Sequence, residues 1–300
     1  MELLKMIEGI RNPLWDIFFG LVTRFGEETL AIVFMCAIYW CISKKTAYTI
    51  GIVYFLSGLT VQGMKICFRV PRPWIVDPTF NPVPEALHYA TGYAFPSGHT
   101  QSAAALLGAI GTCIQQKLIR WVCFVLILLV GFSRMYLGVH TIEDVVVSII
   151  LTALLIWLTV KVLVRDDASR KHNFFVSLSM VLYAGVVIVI AAVLWSGGTI
   201  SQANLVDSLK IAGASAGWAV GMYIERTYIN FSVRSKNIWI HVLKFALGLA
   251  GVLALQQGLK PIIGDSLAAD TFRYFIMTIW MTVFYPLIIK RFFTVKEDLA

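Results

Sequence analysis

Residues 174–195 read FFVSLSMVLYAGVVIVIAAVLW, a run of 22 residues without a charged side chain. An α-helix rises about 1.5 Å per residue, so roughly 20 apolar residues are enough to cross the hydrocarbon core of a membrane. A helix on the surface of a soluble domain would instead alternate an apolar face with a polar one. This stretch therefore predicts a transmembrane helix.

Similar apolar runs occupy most of the 300-residue chain. They predict about nine spans, at residues 28–43, 47–68, 98–116, 120–138, 142–164, 174–195, 209–225, 239–257 and 272–292. Hydrophobic residues make up 58% of the chain and charged residues only 14%. The mean hydropathy of +0.77 is also outside the range of soluble globular proteins. The predicted fold class is therefore all-α, a polytopic membrane helix bundle.

Residues 1–27 precede the first predicted span. They carry acidic side chains among apolar ones and lack the basic start, apolar centre and small-residue cleavage site of a signal peptide. Asp16 and Arg24 interrupt the apolar stretch from Leu14 to Phe25, which predicts an amphipathic helix in the membrane interface. A tenth, short span is the alternative for this segment.

Lysine and arginine cluster in the turns at one end of the predicted spans, which the positive-inside rule places in the cytoplasm. These turns include Lys44, Lys45, Lys117, Arg120, Arg165, Arg170, Lys171, Arg226, Arg234, Lys236, Lys290 and Arg291. At the opposite end, residues 196–208 contain no lysine or arginine. The loop at 69–97 is the exception, because it holds arginines on the side that should lack them.

Charge and cysteine content exclude several other classes of protein. The formal net charge of +8 comes from short clusters between apolar runs, so it indicates membrane topology and argues against nucleic-acid binding. The five cysteines are an odd number without a CxxC spacing. They predict neither a disulfide framework nor a zinc site.

The loop at 69–97 begins within the sequence KICFRVPRP, residues 65–73. Six residues separate Lys65 from Arg72, which Pro73 follows. Cations at a span end on the side poor in cations are costly without an anionic partner. Lys65 and Arg72 therefore predict an anion site. The alternative is a pair of interfacial cations that extend towards the lipid headgroups.

A second cluster, PSGH from Pro96 to His99, opens the third predicted span. Proline, serine and glycine favour a helix start, and the free backbone N–H groups there suit phosphate. Ser97 is predicted to cap the helix and to bind phosphate. His99 fits either a catalytic histidine or a buried, hydrogen-bonded one.

The third cluster is SRMYLGVHTIED, from Ser133 to Asp144. A helix starting near Thr141 would bring His140 and Asp144 together, because they are four residues apart. A carboxylate bonded to one imidazole nitrogen fixes the tautomer and leaves the other nitrogen as a nucleophile. A structural pair that caps a helix is the alternative.

Together the clusters match the signatures K-x6-R-P, P-S-G-H and S-R-x5-H-x3-D without a substitution. The chain therefore resembles the type 2 phosphatidic acid phosphatase (PAP2) superfamily, in its integral-membrane lipid phosphate phosphatase branch, over roughly residues 28–164. The resemblance implies a six-helix core whose signatures meet at the extracytoplasmic face. Residues 165–300 would then be a C-terminal transmembrane extension of about four helices.

The resemblance also implies a role for each signature residue. His140 would be the nucleophile that forms a phosphohistidine, Asp144 would orient it, and His99 would protonate the leaving group. The implied phosphate-binding residues are Lys65, Arg72, Ser97, Gly98 and Arg134. Three cations and a helix N-terminus can position and neutralise a phosphoryl group, so neither a metal ion nor another cofactor is expected.

The predicted activity is hydrolysis of the phosphomonoester or diphosphate of an amphiphilic lipid. Candidate substrates are polyprenyl diphosphate, a phosphatidate-like lipid, phosphatidylglycerophosphate and a sphingoid-base phosphate. A lipid-linked phosphotransferase on the same core is one alternative. A lipid transporter or flippase is another, although transporters place essential charges near the bilayer midplane rather than at span ends. The expected partners are the lipid substrate and membrane lipids, and a homo-oligomer is left open.

The C-terminal extension contains no second catalytic constellation. Its helices are predicted to pack on the core, or on another copy of the chain, and to influence substrate access without supplying catalytic groups. The small-residue run GASAG at residues 213–217 predicts close helix packing.

Overall fold

The computed structural model describes residues 1–88, 90–165, 169–264 and 266–293. Within these ranges the chain forms helices and loops, without a strand. Serine side chains between the apolar runs accept a hydrogen bond from a backbone N–H in the first turn and so fix where several helices begin. These caps are Ser43, Ser97, Ser169, Ser201 and Ser266.

The helices of the first 165 residues form the part of the bundle that contains the three signatures. In chain order they are α1 (Glu2–Glu8), α2 (Pro13–Val22), α3 (Glu28–Cys41), α4 (Lys44–Phe68), α5 (Pro73–Val76), α6 (Pro84–Leu87), α7 (Gly98–Cys113), α8 (Lys117–Tyr136) and α9 (Ile142–Leu158). A π-helical turn, Thr159–Leu163, continues α9. Helices α4, α7 and α9 pack against one another, and α8 packs on α7.

The extension follows with six further helices in the described residues. They are α10 (Arg170–Ser196), α11 (Gln202–Ile224), α12 (Ile238–Gly258), α13 (Lys260–Ile263), α14 (Leu267–Ile279) and α15 (Tyr285–Phe292). π-helical turns at Glu225–Ile229 and Trp280–Phe284 follow α11 and α14. Helices α10 and α11 pack on α4, and α12 packs on α3. The extension is therefore joined to the core through α3 and α4.

The chain is an integral membrane protein. Six helical segments of the described ranges are long and apolar enough to cross a membrane: Lys44–Val76, Lys117–Tyr136, Ile142–Leu163, Arg170–Ser196, Ile238–Ile263 and Leu267–Phe292. Helices α3, α7 and α11 occupy the other three predicted spans. The first two are short, with 14 and 16 residues, and α11 carries Asp207 and Lys210.

The N-terminal helices are too short to cross the membrane. Helix α2 has ten residues, which corresponds to about 15 Å and half of the hydrocarbon core. Its Phe19 is buried and forms a ring contact with Phe132 of α8, whereas Leu14 and Ile17 are exposed. An amphipathic helix in the interface fits these facts better than a tenth span, and the interfacial location stays a prediction.

The small-residue run in α11 packs closely against α14, as predicted. A Cβ atom added at Gly213 would lie 2.3 Å from the carbonyl oxygen of Thr271. One added at Gly217 would lie 2.4 Å from the carbonyl oxygen of Phe275. Real Cβ atoms do not approach so closely, so glycine allows the two backbones to touch. This contact fixes α14 beside α11, where both helices border the site described next.

Candidate active site

The three signatures meet at one end of the bundle. Lys65 lies near the end of α4, His99 in the first turn of α7 and Arg134 in the last turn of α8. These three residues, with Arg72 and His140 from the connecting loops, line one cavity of about 290 Å³. Residues far apart in the sequence are therefore brought to a single site.

His140 and Asp144 form the contact that their spacing predicts. His140 Nδ1 lies 3.2 Å from Asp144 Oδ2, which also accepts a hydrogen bond of 2.9 Å from the backbone N–H of Thr141. Both side chains are buried, with exposed fractions of 1% and 2%. The alternative interpretation is also partly right, since Asp144 and Thr141 form a capping box at the start of α9. Asp144 therefore holds both the helix start and the imidazole.

The second imidazole nitrogen of His140 lies 3.0 Å from Arg72 Nη1. A guanidinium can only donate, so Nε2 is the acceptor and the proton belongs on Nδ1, facing Asp144. Burial, reinforced by the positive charges of Arg72 and Arg134, holds the pKa of His140 well below its ordinary value. The imidazole is therefore neutral at neutral pH. Its Nε2 lone pair accepts the hydrogen bond from Arg72, and this bond must break before Nε2 can attack a ligand.

The turn before His140 requires a glycine. Gly138 has a φ of +78°, a conformation that L side chains rarely adopt. A Cβ atom there would also lie 2.9 Å from the ring of Phe80. The turn directs Val139 and His140 back into the bundle, where the Val139 carbonyl accepts a hydrogen bond from Arg72.

Backbone carbonyl groups fix the guanidinium of Arg72. Nε donates to the carbonyl oxygen of Gly92 at 3.1 Å, Nη2 to that of Thr91 at 2.6 Å and Nη1 to that of Val139 at 2.9 Å. The second Nη1–H faces His140. Of five N–H donors, one on Nη2 is left without a partner among the described residues. Arg72 is thus held beside His140 with one donor available to a ligand.

Lys65 and Arg134 provide the other two cations. Lys65 Nζ donates to the carbonyl oxygen of Tyr93 at 2.8 Å, and Arg134 Nη1 donates to Thr23 Oγ1 at 2.8 Å. Arg134 is 1% exposed, and its Nε has no hydrogen-bond partner within the described residues. Leaving a buried donor unpaired costs about 1–3 kcal/mol. A phosphate oxygen would satisfy this donor.

The start of α7 divides into structural and cavity-facing residues. Ser97 Oγ accepts hydrogen bonds from the backbone N–H and the hydroxyl of Thr100, at 3.4 and 2.9 Å. Ser97 is fully buried and lies outside the cavity lining, whereas Gly98 and His99 belong to it. Ser97 therefore positions the helix N-terminus, and its assignment as a phosphate ligand stays a prediction.

Sequence reasoning missed four residues at this site. Gly26 allows the turn before α3 to approach α7, because a Cβ atom there would lie 2.5 Å from the carbonyl oxygen of His99. Glu28 from α3 and Asp207 and Lys210 from α11 line the cavity with the signature residues. A signal was present for the last two, because charged residues inside an apolar run usually face a cavity.

Two family models match this chain. Residues 45–167 match the PAP2 superfamily, and residues 209–297 match the PAP2 superfamily phosphatase, transmembrane extension. The first range contains the three signatures. The second contains α11 from Leu209 onward and the helices that follow it.

Relatives of this chain agree with these matches, and one solved structure is similar to part of it. The lipid A 4'-phosphatase of Porphyromonas gingivalis is 28% identical over 49% of this chain and 66% of its own. Sphingosine-1-phosphate phosphatase 2 of Homo sapiens is 24% identical over 83% of this chain and 65% of its own. The crystal structure of Aquifex aeolicus LpxE is similar over 53% of this chain and 93% of that chain, with 25% identity and a TM-score of 0.48. This chain thus spans just under two thirds of both named phosphatases. With a PAP2 superfamily match at residues 45–167 and a match to the transmembrane extension of the same superfamily at residues 209–297, the chain belongs to the PAP2 superfamily.

Proposed function

We propose that this protein hydrolyses the phosphate group of an amphiphilic lipid through a phosphohistidine on His140. The observation that carries the proposal is the His140 imidazole, which is oriented by Asp144 and has its Nε2 lone pair beside the cations of the cavity. Phosphoryl transfer depends on positioning the reacting groups and neutralising the phosphoryl oxygens. This site supplies both functions.

The proposed reaction has two displacements at phosphorus. His140 Nε2 forms a bond to phosphorus while the bond to the lipid oxygen breaks, and His99 gives its proton to that oxygen. Water then attacks the phosphohistidine, His99 accepts the proton of the water, and the nitrogen–phosphorus bond breaks to release inorganic phosphate. Lys65, Arg72 and Arg134 hold the phosphoryl oxygens through both steps.

The shape of the cavity supports a lipid as the substrate. Its charged end contains the signature residues, and its other end is apolar, lined by Ile32, Met35, Phe55, Met277 and Met281. Lys65 and Tyr54 both line it and lie three turns apart on α4, about 16 Å along the helix. An amphiphile with its phosphate at Lys65 would extend its chain along α4. The two named phosphatase relatives act on different lipids, so the assay needs a panel.

We also propose that phosphate release needs no metal ion, and the activity assay tests this directly when EDTA is included. Glu28 and Asp207 add two carboxylates to the cavity, but no group of three or more His, Cys, Asp or Glu side chains in the described ranges is close enough to share a metal ion. Purified protein should release phosphate from members of a lipid phosphate panel, equally well in excess EDTA, because the cations replace the metal ions of other phosphatases. Loss of activity in EDTA that magnesium restores would contradict this mechanism.

We also propose that the site faces the extracytoplasmic side, because the basic turns lie at the other end of the bundle. A cysteine replacing exposed Asn81, at the site end, should react with an impermeant thiol reagent in intact cells. A cysteine replacing Ser169, which caps α10 at the opposite end, should not react with this reagent. Both are introduced after exposed Cys67 and Cys113 are changed to serine. The opposite labelling pattern would invert the topology.

A further inference from the structure

Three charged residues outside the signatures form a second polar group in the same cavity. Glu28 is the first residue of α3, and Asp207 and Lys210 lie three residues apart on α11. We call them the headgroup cluster. All three line the cavity, and among the described residues none forms an ion pair with another side chain. Charged side chains that line a cavity without forming an ion pair are candidates for contact with a ligand.

The headgroup cluster adjoins the phosphate site. Asp207 is close enough to interact electrostatically with both Lys65 and Lys210, and Lys210 in turn with Glu28. Lys210 Nζ lies 5.9 Å from the ring centroid of Tyr274, and this ring also lines the cavity. The cluster therefore occupies the wall between Lys65 and α14, where it would contact whatever group is attached to a bound phosphate.

The charges of the two parts favour different ligand groups. The signatures supply three cations, Lys65, Arg72 and Arg134, and one carboxylate, Asp144, and this excess of positive charge suits a phosphate. The headgroup cluster has two carboxylates and one ammonium, so its net charge is negative. Once a phosphate engages Lys65, one carboxylate of the cluster has no cation to balance it. This uncompensated negative charge favours a cationic group of the ligand.

The same charges argue against a second phosphate in the cluster. When the outer phosphate of a diphosphate occupies the phosphate site, its inner phosphate would meet Glu28 and Asp207, and like charges at close range are unfavourable. A substrate ammonium would instead donate hydrogen bonds to these carboxylates. The aromatic faces of Tyr54 and Tyr274 in the same cavity are also favourable neighbours for a cation.

We propose that the headgroup cluster binds an ammonium group of the substrate, so that the preferred substrate is a lipid phosphomonoester with an amine within a few bonds of the phosphate. This inference rests on the proposed phosphatase function. Glu28 and Asp207 accept hydrogen bonds from the ammonium, and Lys210 keeps the two carboxylates at a usable separation. Because Asp207 and Lys210 belong to α11, the extension supplies a determinant of specificity.

The test compares two alkyl phosphates of equal chain length. One carries a free amine on the carbon beside the phosphate-bearing carbon, and in the other this amine is acetylated. Wild-type protein should show a kcat/KM at least about tenfold higher for the free amine, since acetylation removes the positive charge that pairs with the two carboxylates. A variant with Glu28→Gln and Asp207→Asn should lose most of that ratio. The control Glu2→Gln removes an exposed carboxylate of α1 and should keep it.

Two further measurements separate failure of the cluster from failure of the phosphatase function. Equal kcat/KM values for both lipids in the wild type, or a ratio retained by the folded double variant, would overturn the ammonium site. If neither lipid releases phosphate although other members of the panel do, the ammonium site is overturned, and if no member of the panel does, the phosphatase proposal fails. The ammonium site is then judged by the binding of both lipids to His140→Ala protein, where equal affinities would overturn it. Gel filtration in detergent and helical circular dichroism establish that each variant is folded.

Discussion

Replacing His140 with alanine is expected to lower phosphate release by about 10⁴-fold or more and to abolish the phosphoenzyme. The substitution removes the Nε2 lone pair, and no other described side chain in the cavity has an oriented nucleophilic nitrogen. The phosphoenzyme would be trapped by quenching in alkali after mixing with a phosphorus-labelled substrate, because a phosphohistidine is labile in acid.

The matched control is His99→Ala, which removes the other histidine of the cavity and leaves the His140–Asp144 pair intact. If His99 only protonates the leaving group, this variant should still form the phosphoenzyme slowly from a substrate with a good leaving group, such as an aryl phosphate. A phosphoenzyme that persists in folded His140→Ala protein would assign the nucleophile to another residue.

The span boundaries show where hydropathy predicts well and where it does not. The span predicted at 28–43 is α3, Glu28–Cys41, and the one at 98–116 is α7, Gly98–Cys113. The span predicted at 209–225 begins earlier, because α11 starts at Gln202 behind the Ser201 cap. The predicted span starts after Asp207, but Asp207 lies inside α11 and lines the cavity. This residue of the headgroup cluster therefore belongs to a helix that the hydropathy pattern predicts too short.

Contacts between residues close in the sequence could be predicted at this site, whereas contacts between distant residues could not. The contact between His140 and Asp144 follows from a separation of four residues at a helix start, so the sequence alone predicts it. The hydrogen bonds that hold Arg72 depend on carbonyl groups of Thr91 and Gly92, whose position is set by the path of a long loop. The contribution of α11 to the cavity depends on its packing against α4 and α14. Residue spacing within one segment predicts neither the path of this loop nor the packing of α11.

The second large effect concerns Asp144. Its Oδ2 is the acceptor for His140 Nδ1 and for the backbone N–H of Thr141, at 3.2 and 2.9 Å. In Asp144→Asn, an amide oxygen in the place of Oδ2 can still accept both hydrogen bonds, but the negative charge beside the imidazole is lost. The positive charge that develops on His140 when Nε2 attacks phosphorus would then have no carboxylate to stabilise it. We expect turnover to fall by about 10²–10⁴-fold.

The expected loss is chemical and not structural, because asparagine has the size of aspartate and can still cap α9. Turnover and the thermal unfolding midpoint are therefore measured on the same preparation, and the midpoint should change little compared with turnover. The matched control is Glu143→Gln, which removes the exposed carboxylate of the preceding residue and should keep wild-type turnover. If folded Asp144→Asn protein were as active as the wild type, the proposed role of the Asp144 charge would be wrong.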